Sequence, residues 1–332
     1  MEHKHAKLVL FTIGLILTVA LIVYAHAVFL LAFASILLGI LLNAIGKGAK
    51  RVTHLPYFLA LVVALVVIFG VIALIFWLYS EKISDQFELL IKQLPQAYAS
   101  VHNYLAGHFG IFWPEQKLQQ EFSLNRQNIS QLFSFFSTTI GSIASFVVFI
   151  FVGFYLAFDP QRYAKWIFTL VPTKKQSQVR TGMEKIGKSL QWWLLGKLFS
   201  MIVVGIATVI GLSLLNVSLA LILGFLAGLL TFIPYVGALL ASVPAILIAF
   251  AQSPIKAIWV ALLYLGIHTA DGYFITPFIE QRTVSVPPAL SIMAQILLVF
   301  LVGFMGLALA TPLVVVAVAL AHRALHKNHS SA

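Results

Sequence analysis

Residues 217–250 read VSLALILGFLAGLLTFIPYVGALLASVPAILIAF, 34 residues without one charged side chain. As a continuous helix at 1.5 Å per residue the stretch would be about 51 Å long, overshooting a hydrocarbon core of about 30 Å by roughly 20 Å. FIPYVG stands at its centre. Pro234 removes a backbone donor and Gly237 relaxes the chain, so the run is expected to break there into two halves of roughly 17 residues. Residues 286–321 pose the same problem, with VGFMG at the middle and Gly303 and Gly306 in the breaking role.

At an offset of 69 residues Ala220 falls on Ala289, Leu221 on Leu290, Pro234 on Gly303 and Gly237 on Gly306. Each broken run also follows one uninterrupted apolar span, 195–215 in the first case and 256–278 in the second. Internal repeats with broken helices at corresponding positions are a sequence pointer to the binding site of a secondary transporter. If each broken run returns to the side it entered from, the two repeats are inverted, each one span plus one re-entrant hairpin.

The rest of the 332-residue chain has the same character: 61% hydrophobic, 9% charged, mean hydropathy +1.00. This lies outside the balance of soluble domains. An all-α polytopic membrane protein with about eight hydrophobic segments is expected, because backbone groups in lipid must be satisfied within their own segment. The net charge of +11 is scattered over short segments between apolar runs and forms no basic face interleaved with aromatics, so nucleic acid is not an expected partner. The absence of cysteine excludes disulfides, thiolate metal sites and a cysteine nucleophile. No H-E-x-x-H, Walker or Rossmann pattern occurs, so neither an enzyme nor ATP-driven transport is indicated and no cofactor or metal is expected. His3, His5, His322, His326 and His329 read as solvated tails.

Outward from the repeats, residues 1–80 are expected to hold spans 1 to 3 (8–24, 27–44 and 56–79), the first two as a tight helical hairpin. The N-terminus imitates a signal peptide, with Ala25-His26-Ala27 resembling a cleavage site, but a second apolar run follows at once and favours retention. Over 81–136 Ile83, Phe87, Leu90, Ile91, Leu94, Tyr98 and Val101 recur at helical spacing among Glu81, Asp85, Glu88 and Lys92, predicting an amphipathic extramembrane (periplasmic) helical segment. Residues 137–195 carry span 4, an Asp159-Pro160 cap and a basic cytoplasmic linker, 196–322 the transport unit and 323–332 a cytoplasmic tail. Glu280 and Arg282 read as interface residues. Placing both termini, KGAKR, the 160–197 linker and Arg282 inside leaves only Lys82, Lys92, Lys117, Arg126 and Lys256 outside, so N- and C-termini are expected in the cytoplasm.

HTADGYFITPF (268–278) puts His268 and Asp271 three apart on a helix face shared with Tyr264 and Ile275. An intramembrane acid is a functional-site hypothesis by default. Its functional reading is a proton- or cation-coupled site, or a hydrogen-bonding wall for a polar solute. The structural alternative is one interhelical hydrogen bond, with Gly272 easing packing and Pro277 kinking the helix end. The tips Pro234-Tyr235-Val236-Gly237 and Gly303-Phe304-Met305-Gly306 are the next candidates. Non-helical backbone at membrane depth survives where protein or water covers it, and freed amides and carbonyls there can bind a solute; ordinary Pro and Gly kinks are the alternative. Thr231, Gln295 and Thr311 are polar groups near the breaks that can equally serve their own helix backbones.

FIPYVGALLASVPAIL, HTADGYFITPFIEQRTVSVPPAL, GFMGLALATPLVVVAVAL and FYLAFDPQRY together resemble the autoinducer-2 exporter family of bacterial permeases. The family's motifs map onto Pro234, Tyr235 and Gly237, onto Asp271 and Pro277, and onto Gly306, Ala310 and Pro312. The sequence departs from the pattern at His268, where Gln is more usual, and in QRTVSVPP. The resemblance implies a permease of the bacterial inner membrane that exports a small polar solute such as the quorum-sensing signal autoinducer-2, or exchanges sodium or lithium for protons. It also implies a homo-oligomer, with a pentamer as the candidate assembly, and elevator-like movement of the part holding the hairpins. A non-transporting membrane scaffold is the third reading.

Overall fold

Both long apolar runs break where one residue takes positive φ. The computed structural model describes residues 2–110, 143–169, 171–275, 277 and 286–329, and every regular element among them is helical. The expected periplasmic residues from 111 to 136, the first turn of span 4, Glu280, Arg282 and the last three residues lie outside the described residues. In chain order the helices are α1 (Glu2–Thr53), α2 (Tyr57–Phe109), α3 (Ile143–Phe158), α4 (Pro160–Thr169), α5 (Thr173–Leu214), α6 (Ala220–Leu230), α7 (Val236–Gln252), α8 (Pro254–Ala270, continued by a π-turn at Asp271–Ile275), α9 (Pro288–Val302) and α10 (Phe304–His329). Among the described residues four stretches are long and apolar enough to cross a membrane: Ala25–Thr53, Lys175–Leu214, Pro254–Ile275 and Phe304–Ala321.

In the first run α6 stops at Leu230, Tyr235 sits at φ 63°, and α7 starts at Val236. The chain truly reverses, because Gln252 Nε2 donates to Ser218 Oγ at 2.6 Å across the far ends of the two arms. An unbroken helix would hold those residues about 51 Å apart. In the second run α9 ends at Val302, Gly303 takes φ 71°, and α10 begins at Phe304. Gln295 and Thr311, eight residues either side of Gly303, meet at 3.3 Å. A glycine follows each break at the point of closest approach. A Cβ on Gly237 would collide with the Leu230 carbonyl oxygen, and one on Gly306 with that of Leu298. The repeat visible in the sequence is therefore a repeat of helical hairpins.

The N-terminal third differs from its sequence reading. The tight turn expected between spans 1 and 2 is not formed, and α1 runs through Ala25-His26-Ala27 without interruption. Hydrophobic length argued for a turn, but this stretch contains no Gly, Pro or Asn to reverse the chain, and alanine is the best helix former. Nor does span 3 end before the amphipathic segment, since α2 contains both. Along its second half Leu90 and Ala97 are buried while Glu81, Asp85, Glu88 and Lys92 are exposed. The apolar stripe covers the first hairpin, sharing a core with Ile222, Leu223, Ala241 and Ile248, and Gln86 Oε1 accepts a bond from the Ile222 amide at 3.1 Å.

Small residues set the remaining contacts. Gly205 of α5 faces Gly224 and Gly228 of α6 backbone to backbone, and Gly153 of α3 lies against Leu38 of α1, the close approach that membrane helices use in place of a hydrophobic drive. Tyr57 OH ties the N-terminal helices together, donating to the Ala157 carbonyl at 2.7 Å and accepting from Asn43 Nδ2 at 3.0 Å. Asp159 caps α4 through the Arg162 amide at 3.1 Å.

Two outcomes test the hairpins. In this cysteine-free chain, the pair Ser218→Cys and Gln252→Cys is expected to be joined within one polypeptide by a short thiol cross-linker, seen as a mobility shift on denaturing gels. Gly237→Ala is expected to destabilise the chain by about 3 kcal/mol through overpacking against backbone, read from thermal unfolding in detergent.

Candidate functional site

Asp271 is placed where two helices from different repeats meet. On α5, Lys197, Ser200, Val204, Thr208 and Gly211 fall on one face, and Gly211 touches Leu263 of α8. The facing stripe of α8 is Val260, Tyr264, His268 and Asp271. At the end of this seam Ser200 Oγ donates to Asp271 Oδ1. Ser200 is buried, and Asp271 and His268 are half-buried. Lys197, half-buried, stands one turn before Ser200 on the same face of α5.

The seam is polar beyond the Ser200–Asp271 bond. Among the described residues, His268 Nε2, Tyr264 OH and Thr208 Oγ1 are buried and have no hydrogen-bond partner. Leaving such groups unpaired costs about 1–3 kcal/mol each, so the arrangement supplies donors and acceptors to a molecule that can reach them. Asp271 also opens a π-turn, where the main chain departs from α geometry; single π-turns of this kind are frequent at functional sites.

Of the other candidates, Tyr235 is half-exposed at the tip of the first hairpin while Gly237 is buried. The amides of Thr231, Phe232, Ile233, Val236 and Gly237 all donate to carbonyls within the turn. The broken sequence led one to expect freed amides and carbonyls here, but these amides are closed within the turn, and the Ile233, Pro234 and Tyr235 carbonyls accept bonds as well. The first tip leans on α5, with Phe232 edge-on to Trp193 at 5.8 Å, one turn before Lys197. Leu309 and Val315 of α10 join the same cluster with Leu190 and Leu194. In the second hairpin Gln295 is fully buried and donates to Thr311, its Oε1 left unpaired, with Pro312 buried beside them. Gly303 and Gly306 form that tip, and Pro277 is exposed just beyond the π-turn. The structure thus gathers Asp271 and His268 with α5, hangs the first tip from the same helix, and pairs Gln295 with Thr311 inside the second hairpin.

Sequence reasoning missed Lys197, Ser200 and Thr208. Lys197 was taken with the basic linker that precedes it, where a lysine marks the cytoplasmic side. Its position inside span 5 was the available signal. Ser200 and Thr208 carry no signal until the facing helix is known.

A family model described as AI-2E family transporter matches residues 8–326. Among curated relatives, "Putative transport protein YueF" of Bacillus subtilis is 26% identical over 201 residues, 59% of this chain and 54% of that one. "Putative transport protein YrrI" of the same organism is 28% identical over 163 residues, 49% and 46%. "Putative transport protein sll0060" of Synechocystis is 24% identical over 274 residues, 78% and 77%. The chain spans about half the length of the two Bacillus relatives.

The Ser200–Asp271 bond joins two helices and is measurable alone. Ser200→Ala is expected to cost about 1.5–3 kcal/mol, the worth of a hydrogen bond to a charged group. In an Asp271→Ala background it is expected to cost less than about 0.5 kcal/mol. Thermal unfolding of the four proteins in detergent gives the cycle.

Proposed function

This chain belongs to the AI-2E transporter family, and on that premise we propose that it is a secondary permease that exports a small, uncharged polar solute such as autoinducer-2 by alternating access. It is a multi-pass membrane protein. The observation that carries the reading is the α5–α8 seam: a carboxylate held by a hydroxyl from another helix, a lysine one turn from that hydroxyl on the same face, and buried hydroxyl and imidazole groups without partners among the described residues. A polyol leaving water needs its hydroxyls re-bonded and brings no charge. One acid and one base of opposite sign, surrounded by neutral donors and acceptors, suit that demand.

In this reading Asp271, His268 and Ser200 bind solute hydroxyls, and the tip at Pro234 lines the way in. The hairpins are re-entrant from opposite faces, with Tyr235 and Gly237 at one gate and Gly303 and Gly306 at the other. Residues 196–322 move as the transport unit against a scaffold formed by the N-terminal helices and a homo-oligomeric partner. The protein sits in the cytoplasmic membrane with both termini inside. Exchange of sodium or lithium for protons is the competing reading. The positive charge of Lys197 beside Asp271 weighs against it, since a second cation there would meet like charge.

Reconstituted into liposomes, the chain is expected to move autoinducer-2 down its gradient, and Asp271→Asn to lower that flux at least tenfold with folding intact. Unchanged flux in Asp271→Asn and in variants of both tips would favour a scaffold, and sodium movement driven by a pH gradient would favour the antiporter. Single cysteines at Tyr235 and Phe304 are expected to react with impermeant thiol reagents from opposite sides of the membrane. Labelling from one side only would remove the inverted hairpins.

A further inference from the structure

We infer that Lys197 is the resident cation of the Asp271 site, supplying from within the chain the positive charge that the carboxylate would otherwise draw from sodium or lithium. Its consequence for transport, a carrier that moves an uncharged solute without a coupling metal ion, rests on the permease reading above.

A carboxylate among apolar helices has three ways to be neutralised: a proton, a diffusible cation or a cation built into the fold. The Ser200 hydroxyl stabilises Asp271 by hydrogen bonding but brings no charge. Lys197 does bring one. It is the one lysine or arginine between Lys188 and Lys256, and it shares the seam-facing side of α5 with Ser200, whose hydroxyl bonds Asp271.

Lys197 also stops short of closing the site. Among the described residues no ion pair joins it directly to Asp271, and Asp271 makes no described hydrogen bond besides the one from Ser200. One carboxylate oxygen is therefore engaged, and the other remains open to an incoming hydroxyl. Without the ammonium group, the free carboxylate oxygen and Ser200 Oγ would present a half-buried negative charge with the oxygen ligands that a small monovalent cation takes. The described residues hold no group of three or more carboxylate, imidazole or thiolate side chains, which leaves this single acid and its lysine as the site's charge balance.

The test uses the purified full-length chain and the ions themselves, read by thermal unfolding in sodium, lithium or choline chloride at equal ionic strength. The native protein and Lys197→Arg are expected to unfold at the same temperature in all three salts. Lys197→Met is expected to gain a midpoint rise of about 2 °C or more at saturating sodium or lithium relative to choline, and Lys197→Met with Asp271→Asn is expected to lose it. A midpoint that rises with sodium in the native chain overturns the inference, as does a cooperatively unfolding Lys197→Met with no salt-specific shift. If Lys197→Met folds only when purified in sodium or lithium, that rescue supports it. If Lys197→Met and Lys197→Gln both fail in every salt, the inference falls, because a bound ion should replace the lost charge. No arm depends on flux, so failure here leaves the transport experiment to decide the permease reading by itself.

Discussion

A peptide group deep in hydrocarbon has no water to turn to, so every break in a helix there must be closed by the protein itself. The first hairpin obeys this within six residues. Its turn amides bond to carbonyls from Ala227 to Pro234, and Thr231 Oγ1 returns to the Ala227 carbonyl at 2.6 Å. Gly237 then allows the new helix to press against the Leu230 carbonyl. A reversal whose amides are closed in this way can be carried on α5 by apolar contact, through Phe232 on Trp193 and the close approach of Gly205 to Gly224 and Gly228.

The same rule makes the α5–α8 seam conspicuous. Elsewhere in the described bundle, side-chain hydroxyls mostly bond back to their own helix, as Ser35 does to Leu31 and Thr181 to Ser177. On the seam, Ser200 reaches across to Asp271 instead, and Thr208, Tyr264 and His268 each keep a buried polar atom unpaired. Packing there is not slack, for Gly211 admits Leu263 at van der Waals contact and Val260 is fully buried. Polar groups left unpaired inside tight packing are a cost that a purely structural helix pair has no reason to carry.

How much of this was legible follows from what each signal encodes. Run length against bilayer thickness located both hairpins, and Pro234, Gly237, Gly303 and Gly306 located their tips within a residue or two, because chain reversal needs particular residue types. The same length argument failed at residues 25–27, where length demanded a turn but no residue there could make one. Asp271 and His268 were readable because helical spacing puts them on one face. Lys197 was not, because a lysine near the start of an apolar run looks like a topology marker until α8 is seen beside it. Ser200, Thr208 and the coverage of the first hairpin by α2 are properties of pairing, which a single sequence does not express.

The two hairpins finally show what a broken helix requires and what it does not. At the first break a proline precedes a tyrosine forced to φ 63°, while at the second a glycine takes φ 71° with no proline near. The devices differ, yet in each case a glycine sits two or three residues further on, against a carbonyl of the preceding helix, Leu230 in one and Leu298 in the other. Positive φ starts the reversal and several residues can bear it at modest cost. Bringing the second arm back against the first leaves no room for a Cβ, and only glycine meets that condition. The equivalence of the repeats therefore resides in Gly237 and Gly306, which explains why the two runs align weakly by letter and closely by shape.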